Sequence, residues 1–148
     1  MSELSHLSEA GDVRMVDVGG KPSSRRRAVA RATVRMAAET ARRLHELPKG
    51  DALVTAQLAG IMAAKRTSEL IPLCHPLPLS HIAVSLDVGE TAVVITGVVE
   101  TTAQTGVEME ALAAVTVASL TVYDMAKAID KNMSVTDVTL VEKTKEPA

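Results

Sequence analysis

"HIAVSLDVGETAVVITGVV", residues 81 to 99, alternates apolar with smaller or polar side chains in two successive halves. Ile82, Val84, Leu86 and Val88 fall on one face of the first half; Val93, Ile95, Gly97 and Val99 fall on one face of the second. Successive side chains of a strand point to opposite faces, so each half reads as a half-buried strand and Gly89–Glu90 as the turn of a hairpin. A lone hairpin cannot bury its apolar face. The flanking segments must supply a cover.

Upstream, "RRRAVARATVRM" (25 to 36) repeats the alternation, with Arg27, Val29, Arg31, Thr33 and Arg35 on one face and Ala28, Ala30, Ala32, Val34 and Met36 on the other. This predicts a further strand. "AAETARRLHEL" (37 to 47) is rich in helix formers and predicts a helix ending near Pro48; "KGD" then turns the chain into Asp51, a side chain able to cap a second helix, "DALVTAQLAGIMAAKR". Between that helix and the hairpin lies "LIPLCHPLPLS" (70 to 80), uncharged, with prolines at 72, 76 and 78. Each proline removes a backbone donor and fixes a dihedral, so the run is an extended apolar loop that something must cover. Downstream, residues 107 to about 130 read as a long apolar helix and "MSVTDVTLVE" (133 to 142) as a last strand.

The order β, α in two pieces, β, β, α, β places the chain in the α+β class with a split βαβ, ferredoxin-like arrangement: an antiparallel sheet with helices packed on one face. The 148 residues suit a single domain, with polar residues 1–24 expected to be a mobile N-terminal segment. A net charge of -2 and one aromatic residue, Tyr123, argue against a nucleic-acid partner, which would need a basic surface or stacking rings. The single cysteine excludes an internal disulfide, and no Cys/His set at ligand spacing suggests a metal site. "MSELSHLSEAGD" lacks a signal peptide's apolar core, and no run of spanning length is expected to follow. We therefore expect a cytoplasmic protein with no membrane partner.

Four stretches join charge to apolar neighbours: "LPKGD" with Lys49, "AAKRTSELIPLCHPLP" with Lys65, Cys74 and His75, "TGVEMEAL" with Glu108 and Glu110, and "YDMAKAIDK" with Asp124 and Lys127. Each has a local structural explanation. Thr105 and Glu108 have the spacing of a capping box. Asp124 and Lys127 have that of a solvated helical ion pair. Lys49 can be a turn residue, and Cys74 a small buried apolar group. His75 suits either a loop hydrogen bond or a ligand contact. Glu108 and Asp124, however, would stand about 24 Å apart on one continuous helix. A compact site using both ends must be assembled from two copies, so a homo-oligomer is expected.

Taken in order, "MVDVGGK", "AGIMAAKRTSELIPLCHPLP", "TGVEMEALAAV" and "YDMAKAIDK" resemble the motifs of the cyclic pyranopterin monophosphate synthases of molybdenum cofactor biosynthesis, and the resemblance covers nearly the whole chain. It implies a ferredoxin-like fold, a hexamer built as a trimer of dimers, and active sites between subunits. It also implies a lyase reaction: a cyclic dihydroguanosine triphosphate, made from GTP, becomes a cyclic pterin monophosphate with release of pyrophosphate. Matched residue by residue, it casts Asp124, Lys127 and Lys49 as catalytic. Leu73, Cys74, His75, Met109 and Glu110 fall on the substrate-binding segments with Glu108 adjacent, and Arg26 on a phosphate-facing arginine. Many members continue with a Lys/Gly/Ser-rich segment where this sequence reads "EKTKEPA", with Lys143 just within it.

The residue types suit that chemistry. Arg26, Lys49, Lys65 and Lys127 can offset a triphosphate's charge. No cofactor is required, although a divalent cation can accompany the triphosphate. The rival reading is a non-catalytic, oligomeric ferredoxin-like module that binds a purine or pterin.

Overall fold

The computed structural model describes residues 4–148; the first three residues of the N-terminal segment expected to be mobile lie outside the described residues. The elements run β1 (Ser24–Arg35), α1 (Ala38–Arg42), α2 (Ala52–Lys65), α3 (Thr67–Leu70), β2 (Leu79–Val88), β3 (Ala92–Ala103), α4 (Glu108–Ala126) and β4 (Ser134–Pro147). They form one antiparallel sheet in the order β2-β3-β1-β4. This is the α+β, ferredoxin-like arrangement the alternation predicts.

The expected hairpin forms and is longer than its alternation, because β3 pairs with β1 from Ser24 opposite Ala103 to Arg35 opposite Ala92. In β1, Ala28, Ala30, Ala32 and Val34 are fully buried beneath the helices, while Arg25, Arg31 and Arg35 are exposed on the other face. That outer face carries cross-strand ion pairs to β4, Arg25 to Glu146 and Arg27 to Glu142, both at 2.7 Å. Solvated pairs contribute no more than about 1 kcal/mol each, so they reinforce register rather than hold the sheet together. Asp137, at φ 54°, sits where the β1–β4 register slips. Aspartate tolerates that left-handed conformation better than most residues.

With no Phe or Trp in the chain, the layers are spaced by small residues. A Cβ on Gly60 of α2 would stand 2.9 Å from the Ala114 carbonyl oxygen of α4, and one on Gly97 of β3 would stand 3.0 Å from Val115 Cγ1. The two helices and the central strand therefore touch backbone to backbone around Ala111, Ala114 and Ala118, all fully buried. Such close packing fixes where the helix ends fall.

Three expectations are corrected. The helix expected over residues 37 to 47 stops at Arg42, because Leu44, 1% exposed, turns into the core and its carbonyl accepts the Ala52 N–H at 2.8 Å. The last helix ends at Ala126 rather than near residue 130, where the Asp130 side chain takes over the backbone donors of Ala37 and Asn132. And α4 is, by length and composition, apolar enough to cross a membrane, contrary to the expectation that no run would be. Half of its most apolar window is buried inside the fold. Asp51 caps α2 as expected, accepting from Leu53 N at 2.9 Å and Val54 N at 3.2 Å.

Candidate active site

The C-terminal end of α4 carries the first group of candidate residues. Asp124 and Lys127 are less than one turn apart, and Asp124 Oδ1 lies 3.0 Å from Lys127 Nζ. The other oxygen, Oδ2, accepts from Lys49 Nζ at 3.0 Å, a contact between residues 75 positions apart. Lys49 is delivered by a tight hairpin in which the N–H groups of Leu47 and Gly50 each donate to the other's carbonyl. Pro48 presets its first dihedral, and Gly50 closes it at φ +117°, a conformation open to glycine. The Lys49 ammonium, and after it that of Lys127, holds the Asp124 carboxyl below the usual carboxylate range. All three side chains are about half exposed. Water screens them, and a cover would be needed to make them effective acids and bases.

The second group lies at the N-terminal end of α4. A cleft of about 410 Å³ opens there, lined by Leu73, Cys74 and His75 of the proline loop, by Gly106, Glu108 and Met109, and by Val16, Val18 and Lys21. His75 Nε2 lies 2.6 Å from the Val16 carbonyl oxygen. A carbonyl only accepts, so Nε2 carries the proton and Nδ1 is the nitrogen left for another partner. The apolar loop is thus partly covered by the N-terminal segment, which Gln104 also engages by donating to the Gly19 carbonyl at 3.2 Å.

Here the local explanation of the two glutamates fails. The residue preceding α4 is Val107, and no side chain caps the helix, so Thr105 and Glu108 form no capping box. Glu108 Oε1 instead lies 3.5 Å from Lys143 Nζ, while Oε2 is buried without a hydrogen-bond partner. Glu110 is 3% exposed, with Oε2 3.9 Å from Cys74 Sγ and Oε1 also unpartnered. Burial, reinforced by the charge of Glu108, pushes the Glu110 carboxyl up, and burial with both glutamates pushes the Cys74 thiol up. Two carboxyl oxygens without a partner thus lie buried beside a neutral thiol, Glu108 lining the cleft and Glu110 behind it.

Of three consecutive arginines, Arg26 alone faces inward. It is 9% exposed, its Nη2 donates to the Gln104 carbonyl at 3.4 Å, and its Nε is buried without a partner. Lys65 is exposed in the last turn of α2, outside the cleft lining and without an ion pair among the described residues. Reasoning from the sequence missed Lys21, which lines the cleft; its signal was the Gly19–Gly20 pair before a lysine in "MVDVGGK". It also missed the Lys49–Asp124 contact. Among the described residues no group of three or more His, Cys, Asp or Glu side chains is gathered as metal ligands.

One chain therefore holds two groups of candidate residues, at opposite ends of α4. Glu108 and Asp124 lie on the same helix, sixteen residues and about 24 Å apart. The outer surface of the helix layer is unexpectedly apolar: Val54, Leu58 and Met62, spaced four apart on α2, are 60%, 59% and 41% exposed.

Comparison with known proteins shows the family. The model of the MoaC family matches residues 15–146. The chain is 57% identical to the cyclic pyranopterin monophosphate synthase of Roseiflexus sp. strain RS-1, over 97% of this chain and 94% of that protein. It is 57% identical to the protein of that name from Heliobacterium modesticaldum, over 97% and 93% of the two chains. The one from Listeria monocytogenes is 53% identical, over 96% and 91%.

Proposed function

The chain belongs to the MoaC family and acts as a cyclic pyranopterin monophosphate synthase in molybdenum cofactor biosynthesis, and we propose that it does so in a site assembled by two subunits. The substrate is the cyclic dihydroguanosine triphosphate formed from GTP; the products are the cyclic pterin monophosphate and pyrophosphate. The observation that carries the shared site is the separation of the two half-sites along α4, which no movement within one straight helix can close. The exposed stripe of Val54, Leu58 and Met62 supports contact with a second copy. We place these contacts in a hexamer, a trimer of dimers, formed from single-domain chains of residues 1–148 and working in the cytoplasm, where its nucleotide-derived substrate is made.

In this reading one subunit binds the purine side of the substrate. Leu73, Cys74, His75 and Met109 form the wall, and the orphaned oxygens of Glu108 and Glu110 accept from the ring's N–H groups. Arg26, with Lys21 and Lys65 at the same end of the helix layer, meets the phosphates. The other subunit brings Lys49, Asp124 and Lys127. Opening the purine and reclosing it as a pterin needs protons delivered and removed at nitrogen and carbon, work for two lysines held by a carboxylate in a site from which the substrate has displaced water. Closing the cyclic phosphate then requires a sugar hydroxyl in line with the innermost phosphorus while cations neutralise the departing pyrophosphate.

Mixing Lys127→Ala subunits with Glu108→Gln subunits tests the shared site. Each variant alone should be nearly inactive. Randomly mixed oligomers should recover about one quarter of wild-type turnover, the chance that both contributions to a site are intact. No recovery in verified mixed oligomers would refute it.

A further inference from the structure

We infer that Asp130 is a positioning residue, which sets Lys49 against Asp124 and Lys127 by clamping together the two segments that carry them. Asp130 is 7% exposed and makes no ion pair among the described residues; N–H and O–H donors satisfy its charge. Oδ2 accepts from the Ala37 N–H at 2.9 Å and the Thr40 hydroxyl at 2.8 Å, while Oδ1 accepts from the Asn132 N–H at 3.0 Å. Thr40 is itself 1% exposed. The carboxylate therefore ties the residue preceding α1 and a buried residue within it to the segment that follows α4.

Both ends of the clamp lead to reacting groups. On one side, Asp130 lies three residues beyond Lys127 and six beyond Asp124, and its own N–H returns to the Ala126 carbonyl at 3.1 Å, closing the last turn of α4. On the other, α1 leads directly to Leu44, whose carbonyl receives the Ala52 N–H and closes the loop that projects Lys49. The hairpin bearing Lys49 and the helix end bearing Asp124 are thus joined twice: at the surface by the Lys49–Asp124 contact, and in the interior by Asp130. Solvated ion pairs are too weak to hold long side chains in one geometry, whereas charge-assisted hydrogen bonds onto a buried carboxylate do hold it.

The inference rests on the proposed catalytic role of Lys49, Asp124 and Lys127, and it is tested with two readouts, one of which does not depend on turnover. In Asp130→Asn the amide cannot accept on both sides, so kcat should fall about ten- to a hundredfold with KM little changed, as expected when reacting groups are misplaced by a fraction of an ångström. Lys49, less firmly held, should be acylated by a water-soluble anhydride up to about fivefold faster, followed by peptide mass spectrometry on the folded oligomer. Thr40→Val should show a smaller loss of the same kind, and Thr40→Ser, which restores the hydroxyl, should return to wild type; this pair carries the test if Asp130→Asn does not fold. Unchanged kcat and unchanged Lys49 acylation in the folded variants would overturn the inference, as would a loss confined to KM. Full turnover in Lys49→Ala and Lys127→Ala would instead overturn the catalytic assignment on which it rests.

Discussion

Asp124 Oδ1 sits 3.0 Å from Lys127 Nζ, and this pairing is one half of a bridge whose other half is Lys49, reached from the turn that leads into the neighbouring helix α2. A helical Asp–Lys pair alone would be ordinary surface chemistry. The second lysine changes its meaning, since one carboxylate now contacts two ammonium groups.

Removing Lys127 should therefore affect chemistry and leave folding intact. Lys127→Ala is expected to lower kcat by about 10²- to 10⁴-fold, the range of a single acid–base group, with stability within about 0.5 kcal/mol of wild type because the side chain is half exposed. Asp124→Asn should also reduce turnover. Its lysines hold the Asp124 carboxyl below its ordinary 3.8, so the group is already ionised above that pH. The acid limb of the kcat profile above pH 3.8 should consequently keep its shape in Asp124→Asn. A limb that disappears would mean that Asp124 itself titrates there.

Much of the fold was legible in the sequence, for local reasons. Alternation with period two exposes a half-buried strand in any window of six residues, and so the hairpin and β1 appeared where expected. Asp51 announced its cap, and the proline loop announced that His75 would be held in an extended apolar segment. The misread features are tertiary. Residues 37 to 47 favour a helix by propensity, but burial of Leu44 and Leu47 diverts the chain after Arg42, and no local pattern reports where the core will draw the chain in. The meeting of Lys49 with Asp124 depends on how α2 crosses α4.

Gly60 is where that crossing can be disturbed. A Cβ there meets the Ala114 backbone oxygen at 2.9 Å and Val84 Cγ2 at 3.0 Å, and the first of these cannot rotate away. Gly60→Val should destabilise the chain by about 1 to 3 kcal/mol through overpacking, read from denaturant unfolding. By moving α2 relative to α4 it should also lower turnover in the fraction that remains folded. A variant as stable as wild type would show that the helix layers are free to separate.

Glu110 makes the opposite prediction for stability. Its folded-state carboxyl is pushed above the ordinary 4.5, chiefly by burial. The native form therefore keeps its proton longer than the unfolded chain, so stability falls as pH rises from about 4.5 through the folded value and stays lowered above it. Glu110→Gln has no such titration. At neutral pH it should melt higher than wild type, and the gain should vanish below pH 4.5. Substrate affinity should fall, because an acceptor pair has been replaced by an acceptor and a donor. Melting curves across pH decide the matter; a lower neutral-pH melting temperature in the variant would contradict the burial argument.

The exposed stripe on α2 separates assembly from folding. Leu58 is 59% exposed in the single chain, so Leu58→Lys should alter the chain's intrinsic stability by no more than about 0.5 kcal/mol. If Val54, Leu58 and Met62 face a second copy, the same substitution buries a lysine against apolar groups, which proteins avoid at a cost of several kcal/mol. The oligomer should then dissociate, as seen in sedimentation velocity, and turnover should disappear with it although Lys49, Asp124, Lys127, Glu108 and Glu110 are all intact. A hexamer of full activity carrying Leu58→Lys would remove this face from the interface. A dissociated yet fully active chain would be more damaging, since it would place both half-sites at work within one molecule whose helix keeps them about 24 Å apart.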